Sequence, residues 1–283
     1  MRAVVLDGIV LGLAFGLLGV GMTLVYGLGG ILNLAYGQIV VLGAIVVSLV
    51  IAEGVPTAFA AAVGVTAAVG LTVLLDLTLM QPVYRRHGEE QVLLGLLLTL
   101  GAAFVIGGLL TWRYPTGALY INISGEPISI LGVPMAVGSV WATVIALGVG
   151  ALLLLFFGAT TFGRGVRSVI QDETGARLVG INPSFVRTVI FALSGALAGI
   201  VAITYSMSGP LTVNQGFELT TFALIVAVVG GLESVAGAFL AGVLLGIVNT
   251  LSAHYIGQYI TSVILLVAAA LTILIRPRGL LGR

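Results

Sequence analysis

FGRGVRSVIQDETGARLVGINPSFVR, residues 162–187, is a polar, arginine-bearing run inside a chain that is otherwise almost free of charge. It decides the fold by contrast with its surroundings. Of 283 residues, 59% are hydrophobic and only 7% are charged, whereas a soluble domain carries about 25% charged residues. A polypeptide of this composition belongs in lipid, and Thr161–Arg187 reads as the long loop that it keeps in water. The class is therefore a polytopic membrane protein.

Working outward from that loop, the apolar runs divide into lengths suited to crossing a bilayer, for which a helix needs about 20 residues. They fall at 6–26, 38–52, 57–80, 92–112, 139–158, 188–208, 218–232, 234–252 and 257–275. Two of them, 38–52 and 218–232, are short and lie beside glycine-rich breaks, so the pattern predicts eight to ten spans. The runs are continuous rather than alternating, and in lipid only a helix then satisfies every backbone polar group. The fold class is all-α, a transmembrane helical bundle forming one domain over residues 1–283. The N-terminal run is too long for a signal-peptide core and lacks a clean cleavage site, so it reads as the first span.

Orientation follows from arginine, because short basic loops stay cytoplasmic. Arg85, Arg86, Arg164, Arg167, Arg177, Arg187, Arg276, Arg278 and Arg283 are nine of the eleven basic residues and fall on one face if 92–112 and 139–158 form an out-and-back pair. That places 159–187 in the cytoplasm and the excursion 113–137, with its turn residues Pro115, Gly117, Gly125, Pro127, Gly132 and Pro134, outside. Its YINISGEPISILGV core alternates enough to predict a short hairpin. The N-terminus is then external, against the pull of Arg2.

Several chemistries are excluded by what is missing. There is no cysteine, so disulfides and thiolate sites are ruled out. The two histidines, His87 and His254, are isolated and supply no metal site. No set of nucleophile and base converges, and no catalytic residue is assigned. Asp7, Asp76, Glu218 and Glu233 lie near segment ends and form no buried proton relay. A net charge of +1 is too small to suggest nucleic acid. Energy for any transport must come from outside the chain.

Glycine is abundant, with 41 residues, and small residues let helices pack closely in lipid. Two clusters stand out. GGILNLAYGQ (Gly29–Gln38) and GGLESVAGA (Gly230–Ala238) each begin Gly-Gly-apolar, pass through a polar centre, and continue with Ala and Gly. Paired glycine-broken segments in the two halves of a transporter point to an internal repeat and to the substrate path. Asn33, Tyr36, Gln38, Gly230, Gly231, Glu233 and Ser234 are the path residues this predicts, each with a structural role as its alternative.

These residues resemble a known family, the membrane permease subunits of ABC importers for branched-chain amino acids, of the "H" type. Leu24–Ala44, Phe162–Asn182, Phe191–Ala202 and Gly230–Thr250, followed by the terminal Ile275–Arg283, run in the family's order across nearly the whole chain. Tyr36-Gly37-Gln38 and Glu233-Ser234 depart from the family's usual residues, which leaves the cargo open. The resemblance implies a non-catalytic subunit in a prokaryotic cytoplasmic membrane that binds no cofactor itself. Its implied partners are a second, related permease, two cytoplasmic ATPases that use ATP and Mg, an external binding protein, and membrane lipid. The rival reading is a secondary transporter or passive channel for a small neutral solute.

The physics of the loop fits the resemblance. A helix starting after Gly165 would carry Val169, Ile170, Ala176 and Val179 as an apolar stripe and stop at Gly180 before Asn182-Pro183. Arg164, Arg167, Asp172, Glu173 and Arg177 occupy the other faces. On the family's pattern this helix seats in a groove of an ATPase, with Ala176 at the contact; the alternative is a helix lying on anionic lipid.

Overall fold

The computed structural model describes residues 1–283 except 87, 116, 117, 122, 124, 131, 277, 278, 282 and 283. His87, Gly117, Arg278 and Arg283, used above, therefore lie outside the described residues. The molecule is a bundle of helices: α1 (Arg2–Gly29), α2 (Tyr36–Ala52), α3 (Thr57–Leu75), the single turn α4 (Gln81–Val83), α5 (Glu89–Arg113), α6 (Val137–Ala159), α7 (Thr161–Gln171), α8 (Glu173–Leu178), α9 (Pro183–Ser208), α10 (Gly216–Gly230), α11 (Val235–Tyr255) and α12 (Gln258–Ile275). A π-helical turn, Asp76–Met80, joins α3 to α4. Among the described residues eight helical stretches are long and apolar enough to cross a membrane, and α2 is a shorter apolar helix. An all-α transmembrane bundle is what composition predicts.

Glycines set how the helices meet. Gly8, Gly12 and Gly16 of α1 lie against Ile247, Val243 and Phe239 of α11, so that a Cβ on Gly12 would come within 2.7 Å of the Val243 carbonyl oxygen. This is an antiparallel contact of backbone on backbone, in which dispersion replaces the hydrophobic drive that lipid lacks. Alongside, Phe15 stacks on Phe222 at 4.7 Å and Gly19 faces Val226, so α10 runs parallel to α1. Gly195 and Gly199 of α9 pack on Thr72 and Val65 of α3, which makes those two helices antiparallel. The inner helices α1, α9 and α10 are mostly buried, whereas α3, α5, α6 and α12 expose most of their apolar surface, as lipid-facing helices do.

Two small antiparallel ladders cover the end opposite the arginine loop. β2 (Ile128–Ile130) pairs with β3 (Val133–Met135), and β1 (Ala118–Leu119) pairs with β4 (Leu211–Thr212). The hairpin occupies the second half of the stretch that the alternation predicts; in the first half the Ile121 N–H bonds to the Ser206 carbonyl of α9.

Candidate functional site

Within the Gly29–Gln38 break the chain leaves helix between α1 and α2, over 30–35, and runs through the interior of the bundle. Gly30 closes α1 in the left-handed conformation (φ 63°), its N–H bonded to the Tyr26 carbonyl. The chain then climbs alongside α5: Ile31 lies on Gly95, the Thr99 hydroxyl is 3.2 Å from the Leu32 carbonyl, and the Gln38 side chain packs on Gly107. Only at Tyr36 does helix resume. Backbone left open at this depth requires partners from other helices. Thr220 of α10 supplies them, its hydroxyl accepting from the Gly37 N–H at 2.9 Å and lying 3.3 Å from the Leu34 carbonyl. Asn33 holds the turn by accepting the Ala35 N–H at 3.1 Å.

Three of the predicted path residues meet here. Asn33, Tyr36 and Gln38 are all buried. The Tyr36 hydroxyl donates to the Ser194 carbonyl of α9 at 3.3 Å, while the Ser194 hydroxyl donates to Gly21 of α1. Asn33 Nδ2 and Gln38 Oε1 are buried without hydrogen-bond partners. In native proteins such orphaned polar atoms are few and each calls for a reason; here one lies on the non-helical segment and the other in the first turn of α2.

Gly230, Gly231, Glu233 and Ser234 do not join them. They form the turn between α10 and α11, in which Gly231 adopts φ 109° and the Ser234 hydroxyl caps α11 by accepting the Gly237 N–H at 3.1 Å. Leu280 donates its N–H to the Val229 carbonyl at 2.9 Å, so the C-terminal tail covers this turn. Glu233 is exposed. The two glycine-broken segments thus differ in form: one is a passage, the other a corner.

The polar loop also differs from the sequence expectation. It folds as two helices rather than one, because Asp172 adopts extended backbone and caps α8 by accepting the Thr174 N–H at 2.9 Å. The apolar stripe is accordingly split. Val166, Val169 and Ala176 face inward, with Ala176 only 1% exposed, whereas Leu178 and Val179 project at 84% and 73%. Ala176 is therefore part of the loop's own core and is not presented to a partner. Arg164 and Arg167 are exposed on α7, with Arg167 Nη1 donating to the Phe157 carbonyl at 2.5 Å. Gly180 ends the unit in the left-handed region at φ 85°, as expected.

Sequence reasoning missed the anchor of this loop. Asn182 caps α9 with Pro183 in its first turn, so α9 starts earlier than hydropathy indicates and carries Arg187 into the bundle. The Arg187 guanidinium lies over the Tyr84 ring, 4.2 Å from its centroid, and its Nη2 donates to Glu173 of α8. Glu173 also pairs with Arg177 at 2.6 Å. Burial pushes the Tyr84 phenol well above its usual range, so the ring stays neutral. A cleft of about 650 Å³ opens beside it, lined in part by Gly29, Gly30, Arg85, Gln91, Arg177 and Arg187, at the foot of the extended passage. Among the described residues no group of His, Cys, Asp or Glu is placed to hold a metal.

The family described as "branched-chain amino acid transport system / permease component" matches residues 4–275. The chain belongs to this family. It is 27% identical, over 98% of its own length and 94% of the relative's, to the high-affinity branched-chain amino acid transport system permease protein BraD of Pseudomonas aeruginosa. It is 26% identical, with the same coverage, to LivH of Escherichia coli K12. A more partial likeness, 29% identity over 59% of this chain and 56% of the relative, is to the L-arabinose transport system permease protein AraH of Escherichia coli. Among solved structures, a chain of PsaBC from Streptococcus pneumoniae in complex with Fab shares the fold at a TM-score of 0.50 and 15% identity, covering 98% of this chain and 92% of that one. This permease is accordingly a multi-pass membrane component of a branched-chain amino acid ABC transport system and performs no catalysis itself.

Proposed function

We propose that the permease moves branched-chain or similar hydrophobic amino acids inward through the passage formed by Asn33–Gln38, driven by ATPases docked on α7 and α8. The observation that carries this reading is the non-helical segment that runs inside the bundle into α2, with buried orphaned amide groups and no acidic or basic side chain between Asn33 and Gln38. A zwitterion is stabilised there by amide dipoles and by the N-terminal dipole of α2, and is released because no full charge holds it. The partners are a related second permease, two cytoplasmic ATPases that bind ATP and Mg, and an external binding protein. Likeness to both amino-acid and arabinose permeases supports leaving fine selection of cargo to the binding protein.

On this reading 159–187 faces the cytoplasm and 113–137 faces outward. On it Leu178 and Val179, adjacent aliphatics outside any span and 84% and 73% exposed, form the ATPase contact. The Gly230–Ser234 corner lies at the same inner end. The test is leucine uptake into vesicles holding the assembled transporter and an ATP-regenerating system. Uptake that follows ATP and survives a protonophore supports the importer; collapse with the proton gradient at constant ATP supports the secondary transporter.

A further inference from the structure

Arg187 stands between two carboxylates and satisfies one of them. Its side chain is nine-tenths buried at the inner end of α9, and among the described residues its ion pair is with Glu173 on α8. Its Nε is buried without a partner, and so is Oδ1 of Asp76 in the π-helical turn after α3. The two unmet groups lie in one layer: Thr188, next to Arg187 in the chain, donates its hydroxyl to Asp76 Oδ2 at 2.6 Å, and the Arg187 charge acts on the Asp76 carboxylate. A buried donor on α9 and a buried acceptor on the turn that Thr188 contacts, both left unmet, are each costly. They mark an arrangement with a nearby alternative.

The rest of the local geometry permits that alternative. Glu173 belongs to a six-residue helix, bounded by the extended residue Asp172 and the left-handed Gly180, so α8 can shift as a unit. When it does, Glu173 keeps Arg177 as its partner at the surface. Asp76 sits where α3 departs from α-helical geometry, and such π turns are frequent at functional sites. The Tyr84 ring gives the guanidinium a flat surface on which to turn.

We propose that Arg187 is a positioning residue with two partners, held by Glu173 of α8 in this conformation and transferred to Asp76 when the ATPases displace α8. Transfer draws the inner end of α3 toward α9, beside the cleft that opens on the Gly30–Ala35 passage, and so converts movement of a surface helix into movement of the path. The latch rests on the proposed docking of ATPases at α7 and α8, and the two claims fail differently. Loss of docking removes ATPase co-purification, whereas loss of the latch leaves it intact.

The experiment uses the complete transporter in nanodiscs, with Glu173→Gln, Asp76→Asn and the double variant. Both substitutions keep shape and remove charge. Releasing Arg187 with Glu173→Gln raises ATP hydrolysis in the absence of binding protein by about fivefold or more, the low end of typical coupling free energies. Asp76→Asn lowers stimulated hydrolysis and transport together, and in the double variant the Glu173→Gln stimulation disappears. As a direct readout, spin labels on Arg85→Cys and Thr174→Cys report the width of the cleft in a chain that has no cysteine of its own. The distance in Glu173→Gln without nucleotide shifts toward that of the ATP-trapped native sequence. Glu173→Gln with the resting distance and unchanged basal hydrolysis overturns the proposal, as does a double variant that keeps the full stimulation. A merely structural role would lower the yield of complex and leave the hydrolysis-to-transport ratio of the surviving complex unchanged.

Discussion

Gly37 and Gly216 meet where the start of α2 crosses the start of α10, so closely that a Cβ on Gly37 would lie 1.9 Å from the Gly216 carbonyl oxygen. Gln38 fills the other side of the same crossing, wedged against Gly216 and Gly107. Gly37→Ala therefore pushes two backbones apart and pulls the Gly37 N–H away from Thr220. The expected loss is at least the about 1–3 kcal/mol of an overpacked core, visible as a lower melting temperature of the purified permease and reduced yield.

The exposed pair at the tip of the loop gives the second prediction. Leu178→Asp combined with Val179→Asp leaves expression and membrane insertion at native levels, because neither side chain is buried in the chain. ATPase co-purification falls roughly 30-fold, the equivalent of the ~2 kcal/mol that defines an interface hot spot. Ala176→Glu fails for a different reason: it places a carboxylate in the loop's own core, so protease resistance of the loop is lost along with docking. Retention of the ATPases by the double aspartate variant would move the contact elsewhere.

Arg177 and Arg187 share the Glu173 carboxylate but are not equivalent. The Arg177 side chain is 64% exposed and its pair is an i,i+4 surface pair, so Arg177→Ala costs only about 0.3–0.5 kcal/mol. Arg187→Ala removes a buried cation and leaves Asp76 without its counter-charge. Its cost lies toward the lower end of the about 3–5 kcal/mol for a broken buried pair, since Glu173 still reaches water. Denaturation midpoints in mild detergent should rank the two variants in that order.

Topology supplies the fourth prediction. Arg85→Cys and Arg164→Cys are labelled by a membrane-impermeant maleimide only in inverted vesicles, and Gly125→Cys only in right-side-out ones. Labelling of Gly125→Cys and Arg164→Cys from the same side would reject the orientation.

Hydropathy made the helices readable because lipid imposes a length on each of them, and the adjacent Gly29-Gly30 pair made the Gly29–Gln38 break readable because glycine readily takes the left-handed conformation that ends a helix. What separates that passage from the Gly230–Ser234 corner is which neighbour reaches it. Thr220 opens hydrogen bonds to one, the tail at Leu280 covers the other, and local sequence contains neither fact. The split at Asp172 was available in principle, since an aspartate two residues before a helical N–H is a capping signal, as was the Asn182-Pro183 start of α9. The apolar count across 166–179 pointed instead to one continuous helix. The Arg187–Glu173 pair spans 14 positions and two helices, and no periodicity encodes it.

The hydrogen bond from Gly37 to Thr220 joins residues 183 positions apart. At translation rates of about 5–20 residues per second, roughly 10–40 s separate the emergence of the two partners. During that interval the extended segment has no hydroxyl to meet its open amide, and α2 is too short to settle across the bilayer with conviction. The first third of the chain must therefore wait, shielded at the membrane surface or by an insertion factor, until α10 arrives. That crossing therefore assembles only once α10 has been made, and slowing synthesis between α2 and α10 would lengthen its exposure to membrane proteases.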